Sequence, residues 1–133
     1  MNILFLLQPK SDVALLTDTT PAADALAAFA QFRFSAVPVT TADGKYFGTV
    51  TAADFLSFVL TGDTPEHKTV AQILDPEKNP PVRITAKLDD LLLLVMDQNF
   101  VPVVDDRDCF MGIVTRKRIM RYYYYDRLKG NEY

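Results

Sequence analysis

The sequence predicts an α+β protein made of two similar halves, and three observations carry that prediction. Residues 36–54, AVPVTTADGKYFGTVTAAD, reappear at residues 100–118 as FVPVVDDRDCFMGIVTRKR, without a gap, at an offset of 64. Each copy reads as two β-rich runs divided by a turn and flanked by helix-spaced apolar residues. Between the copies, GDTPEHK at residues 62–68 is polar and rich in breakers, and it marks the boundary. The period is too long for a solenoid repeat, so two halves of one module account for it better. The halves are placed at residues 1–62 and 69–128.

The elements follow in order. Thr20 and Pro21 open a helix, AADALAAFAQF, with threonine at the cap and proline at the first helical position. Leu26, Phe29 and Ala30 recur at helical spacing. SAVPVTT is a strand rich in β-branched residues, Gly44 supplies positive φ to a turn, and YFGTVT returns as a second strand. Thr51 caps a helix that runs to about Leu60 and ends at Gly62. In the second half, Thr69 opens a short helix, VRIT is a short strand, and residues 88–98 form a helix. FVPVV and FMGIVT flank the turn at residues 105–108, and a last helix follows Thr115. Pro38 and Pro102 lack a backbone donor and are expected at strand starts or edges.

Composition narrows the function classes. Apolar residues make up 49% of the chain and charged residues 23%, an ordinary balance for a soluble domain. The apolar runs at residues 3–7 and 91–96 fall well short of the roughly 20 residues that span a bilayer. No signal-peptide pattern is present, so a cytoplasmic location is expected, with no membrane association. One cysteine, Cys109, and one histidine, His67, leave no disulfide framework and no metal set, and no cofactor is expected. No nucleophile–base arrangement is apparent, so an enzyme is not expected. Residues 1–115 carry eight Lys/Arg and fifteen Asp/Glu, whereas residues 116–133 carry six and two. The positive end suggests an anionic partner, but it is too small to make a nucleic-acid face the first choice.

The pattern hPVh…GhhGhhTxxD, where h is apolar, is represented by VPVTTADGKYFGTVTAAD and, less completely, by VPVVDDRDCFMGIVTRKR. In these residues the chain resembles a tandem pair of CBS domains, over about residues 1–125, and the opening FLLQPKSDVALL is similar to the usual start of a first CBS motif. The resemblance implies two β-α-β-β-α repeats packed through their sheets with pseudo-twofold symmetry, as in stand-alone bacterial Bateman modules. It implies regulation rather than catalysis: an adenine nucleotide (AMP or ATP) or cyclic di-AMP would bind between the repeats, and an unidentified partner protein would read the change. Such modules frequently pair into disc-like homodimers.

The same resemblance assigns two ligand clefts, each joining the proline strand of one repeat to the threonine segment of the other. Cleft one would combine Val13, Ala14, Ser35, Ala36, Val37 and Pro38 with Thr115, Arg116, Lys117 and Arg118, with Lys10 in reach of a phosphate. Cleft two would combine Val82, Phe100, Val101 and Pro102 with Thr51 and Asp54. Thr51 and Asp54 also read as a plain capping box, and both readings stand. In the second repeat Arg118 occupies the place of the ribose-binding aspartate. Three cations in the first turn of a helix oppose its macrodipole, and a bound phosphate would reverse that effect. Thr51 and Thr115 are expected to face one shared groove. Four consecutive tyrosines, residues 122–125, cover every face of a helix. With the apolar residues 3–7, they suggest packing between these segments or a homodimer interface. Two alternatives remain: a ligand-free pair serving as a dimerisation scaffold, and nucleic-acid binding through the basic, tyrosine-rich C-terminal helix.

Overall fold

The computed structural model describes residues 2–32, 35–62 and 67–129, without the side chains of Phe32 and residues 127–129. Residues 63–66 of the expected boundary segment lie outside the described residues. Among the described residues, seven strands form two sheets. β2 (Leu16–Thr17), β3 (Ala36–Thr40) and β4 (Tyr46–Thr51) make one, in that order. β1 (Gln8–Pro9), β7 (Phe110–Thr115), β6 (Phe100–Val104) and β5 (Val82–Arg83) make the other. The helices are α1 (Ala22–Phe32), α2 (Ala52–Leu60), α3 (Val70–Ile73), α4 (Leu88–Leu94) and α5 (Arg116–Tyr122), the last continuing as a π-helical segment, Tyr123–Lys129. No described helix is long and apolar enough to cross a membrane.

The two sheets repeat one register. Leu16 pairs with Val39 in parallel and Val39 with Gly48 in antiparallel; Val82 pairs with Val103, and Val103 with Gly112, in the same senses. Both β3 and β6 carry an irregularity one residue later. Equivalent residues also meet each other. Lys45 bridges Cys109, and Tyr46 N donates to Asp108 O (3.2 Å) while Phe110 N donates to Gly44 O (2.9 Å). The rings of Tyr46 and Phe110 stack 6.1 Å apart, and Asn99 Nδ2 donates to Ser35 Oγ at 3.0 Å. Residues 64 positions apart can touch in this reciprocal way only beside a twofold axis, so the repeat in the sequence is a pseudo-twofold in space.

Each repeat's leading segment packs on the other repeat. Ile3 and Leu6 are buried with Leu88, Leu91, Val101, Val103, Val114 and Ile119. Val70 and Leu74 are buried with Leu16, Phe29, Val37, Val39, Val50 and Phe55. A third cluster, Phe100, Phe110 and Ile113 against Val13, Leu15, Ala36 and Tyr46, joins the halves along the axis. At roughly 1.5–3 kcal/mol for each large apolar side chain removed from water, the crossed segments contribute much of the coupling between repeats.

Local differences from expectation have physical causes. Pro38 and Pro102 lie in central strands, not at starts or edges. β2 and β5 are only two residues long, however, and pair from Val39 and Val103 onward. Beside each proline the sheet has already ended on one side. α1 begins at Ala22, and Pro21 provides the carbonyl that accepts from Ala25 N (2.9 Å). α4 stops at Leu94, and Asp97 N and Gln98 N both donate to Leu94 O in a tightened last turn. Residues 3–7 are not an exposed interface strip: Ile3 and Leu6 are core, and only Leu4 and Phe5 are exposed. Phe5 meets Tyr122 edge-on at 5.4 Å, so the expected packing between these segments is present there. Tyr123 donates toward Asp89, while Tyr124 and Tyr125 are exposed.

Candidate functional site

Two clefts flank the axis, one on each side of the Ser35–Asn99 hydrogen bond. They are separate, so Thr51 and Thr115 do not face one shared groove; the wall formed by Ser35, Ala36, Asn99 and Phe100 stands between them. The cause is the symmetry itself, which turns the start of each second helix toward opposite sides of the axis.

The first cleft is a cavity of about 240 Å³. Val13 and Ala14 before β2, Ser35 just before β3, Ala36 and Pro38 on β3, and Thr115 at the end of β7 come together in its wall, as the sequence places them. Gln8, Asp12, Asn99, Phe100 and Ile113 complete it. The floor is apolar, and the rim holds a carboxylate, two amides and two hydroxyls. That combination suits a flat heteroaromatic group with hydroxyls attached. Gln8 Nε2 donates to Asp12 O (2.8 Å) and so ties β1 to the turn before β2. Val37 is fully buried in the core and does not reach the cavity. Lys10 is exposed in the 3-10 turn Lys10–Asp12 and is absent from the wall.

The three cations also fall outside this wall. Arg116 turns back, and its Nε donates to Val95 O at 2.8 Å. Arg116 and Lys117 border a surface groove with Met120, Arg121, Tyr124 and Tyr125, and Lys117 and Arg118 border another with Phe5, Leu6 and Tyr122. The backbone N–H of Arg118 is capped by Thr115 Oγ1 (3.2 Å). The first turn of α5 therefore leads away from the cavity, and a contact from Lys117 or Arg118 to a phosphate has to be made beyond its mouth.

The second side differs in construction. Thr51, Lys78, Asn79 and Asp97 are shared by two depressions of about 330 and 450 Å³. Thr51 and Phe100 line the first of these, but Asp54, Val82, Val101 and Pro102 line neither. Val101 and Pro102 are buried, and Val82 packs against the second repeat's core. Asp54 completes the capping box: its Oδ2 accepts from Thr51 N (2.8 Å) and Thr51 Oγ1 (2.9 Å), and Thr51 Oγ1 accepts from Asp54 N (3.2 Å). Its Oδ1 lies 3.8 Å from Lys78 Nζ. Deeper in, the Tyr46 hydroxyl contacts Thr49 Oγ1 (2.6 Å) and donates to Asn79 O (2.9 Å). Burial pushes the Tyr46 phenol up to about 12, partly offset by the bond to Thr49. Asn79 has φ 58°, a conformation that asparagine tolerates well.

Several wall residues escaped the sequence reading. Asn99 was within reach, because it is the equivalent of Ser35. Asp12 and Lys78 were not, because the strands that follow them, β2 and β5, are related by 66 residues rather than 64.

Comparison with known proteins agrees with this architecture. The family model described as CBS domain matches twice, at residues 6–61 and 70–125. Among solved structures, CbpB in complex with c-di-AMP is 29% identical with a TM-score of 0.86, over 100% of this chain and 91% of that one. CbpB from Streptococcus agalactiae is 28% identical with a TM-score of 0.82, over 96% and 84%. A CBS domain protein from Streptococcus pneumoniae is 26% identical with a TM-score of 0.81, over 89% and 83%. Curated proteins give no match. With two matched repeats, one register and a shared axis, this chain belongs to the CBS-domain family as a tandem pair.

Proposed function

We propose that this protein is a non-catalytic, cytoplasmic regulatory module that binds an adenine nucleotide or cyclic di-AMP in the first cleft and presents the bound state to a partner protein. The observation that carries the reading is the cavity at Val13, Ala14, Ala36, Pro38 and Ile113, apolar below and polar at the rim. The likeness to CbpB, whose complex holds c-di-AMP, favours that ligand class. A cavity of about 240 Å³ is small beside the roughly 300–1,000 Å³ of drug-sized sites. It would take one base with its sugar, leaving phosphates outside, and Lys117 or Arg118 would meet them only beyond the mouth.

The test is a thermal-shift and calorimetric titration with cyclic di-AMP, AMP and ATP, using cyclic di-GMP as control. A ligand at 100 times its dissociation constant stabilises by about 2.7 kcal/mol. No shift with any adenine ligand at millimolar concentration overturns the reading.

A homodimer belongs to the same proposal. Leu56, Val59 and Leu60 on α2, with Leu93 and Met96 at α4, are large, apolar and exposed. They replace residues 3–7 as the surface that a second copy would cover. Sedimentation equilibrium at micromolar concentration should give twice the 15.0 kDa chain mass. A clean monomer counts against pairing.

A further inference from the structure

The two clefts arise from equivalent strands, yet only the first exposes its inner wall. Pro38 and Ile113 line the open cavity. Their equivalents, Pro102 and Thr49, line neither depression on the second side. The segment before β5 lies against the Thr49 side of this wall. Its Asn79 carbonyl is bound by the Tyr46 hydroxyl, itself bonded to Thr49, which is fully buried. Its Lys78 lies 3.8 Å from Asp54, the carboxylate that caps α2 behind Thr51. The first cleft lacks these ties. Phe110 replaces Tyr46 and Ile113 replaces Thr49, so no hydroxyl is available to hold the segment before β2 down.

We propose that residues 75–81 form a latch that closes the second cleft, with Tyr46 as its catch, so that one chain takes one nucleotide. The proposal rests on the nucleotide reading above for its stoichiometry, but the latch itself is a property of the unliganded chain. Replacing Tyr46 by Phe, alone or with Thr49→Val, gives this repeat the apolar character that Phe110 and Ile113 give the other. The double replacement removes both buried hydroxyls and leaves the Asn79 carbonyl without its donor, whereas Tyr46→Phe alone also leaves the Thr49 hydroxyl buried without that partner, so the double variant is the milder change at this wall.

Two readouts on the full chain decide it. Hydrogen exchange of peptides covering residues 75–81, without ligand, should be at least tenfold faster in the variants. Calorimetric titration with cyclic di-AMP, and separately with AMP, should give one ligand per chain in the wild type and two in the double variant. If the double variant does not fold, the single Tyr46→Phe variant carries the same test. Unchanged exchange overturns the latch, as does a wild type that saturates at two ligands per chain. Faster exchange with stoichiometry still at one also overturns it, because something else would then close the cleft. A wild type that binds neither nucleotide overturns the functional reading, and exchange alone then decides the latch.

Discussion

The glycines Gly48 and Gly112 are equivalent in sequence and in register, yet alanine should affect them very differently. At Gly112 φ is 155°, a conformation that side chains rarely adopt, and an added Cβ would overlap the carbonyl oxygen of Gln8. That oxygen belongs to β1, which pairs there with β7. Backbone cannot yield as a side chain does. The strained φ alone costs about 1–3 kcal/mol. Displacing β1 adds to this, up to about 1.5–3 kcal/mol each for Ile3 and Leu6 if the leading segment leaves the core. At Gly48 no positive φ is required, and the Cβ would meet the tip of Leu74 at 2.7 Å, a flexible group. Crowding of about 1–3 kcal/mol is offset there by about 0.4–1 kcal/mol from the stiffer unfolded chain. Urea unfolding followed by far-UV circular dichroism should place Gly112→Ala at least about 2 kcal/mol below Gly48→Ala. Because Gln8 lines the first cleft, Gly112→Ala should also weaken nucleotide binding, while Gly48→Ala leaves it near wild type. Equal destabilisation by the two substitutions would refute the argument that the repeats exchange unlike segments across the axis.

Four further outcomes are expected. Thr51→Ala removes the hydroxyl that accepts from Asp54 N and donates to Asp54 Oδ2, keeping only the backbone half of the capping box, and should cost about 1 kcal/mol in urea unfolding, with Thr115→Ala costing less because that hydroxyl has no carboxylate at Arg118 to bond; equal costs would contradict this. Tyr46 ionises near 10 when unfolded and at about 12 when folded. Its contribution is therefore complete below pH 10 and is lost as pH rises from about 10 to 12, by an amount on the order of 3 kcal/mol; Tyr46→Phe should flatten that part of the stability–pH curve, and an unchanged curve excludes Tyr46 as the source. Ala14→Phe puts a ring into the first cavity and should lower nucleotide affinity more than tenfold without moving the melting temperature, whereas retained affinity would place the ligand elsewhere. Arg116→Ala leaves Val95 O without its charged donor and should cost about 1.5 kcal/mol of stability, with nucleotide affinity changed by less than about threefold; a tenfold loss of affinity would return Arg116 to the site.

Most of the fold was legible because the same local rules were written twice. The turn at Gly44, the cap at Thr51, the stop at Gly62 and the strands around Pro38 and Pro102 each depend on residues within a few positions. Hence the helix and strand types held, and boundaries moved by a residue or a turn. β1 and β2 could not be read from residues 8–9 and 16–17, because two-residue strands have no periodicity of their own and form only where a partner edge awaits them. The first cleft was legible where backbone position decided it, at Val13, Ala14, Ser35, Ala36, Pro38 and Thr115. It was misread where side-chain direction decided it. Arg116 lies one residue beyond Thr115, but a helix turns about 100° per residue, and its guanidinium finds a helix-end carbonyl instead of the cavity.

The same contrast bears on charge. Lys78 lines the second cleft and pairs with Asp54 behind Thr51, and the positions equivalent to them in the first are Asp12 and Arg118. The signs are exchanged. In the second cleft the acid also completes a capping box and the base lies across from it, so both charges are already partnered. In the first cleft the acid lines the cavity, and the base stands at the head of a helix that leads outward. A carboxylate inside and cations outside is the order in which a nucleotide presents its own groups, with amino and hydroxyl hydrogens at the base and sugar and negative charge at the phosphates. Exchanging the two signs across the axis thus separates a cleft whose charges satisfy each other from one whose Asp12 carboxylate faces the cavity, even though both descend from one repeated pattern.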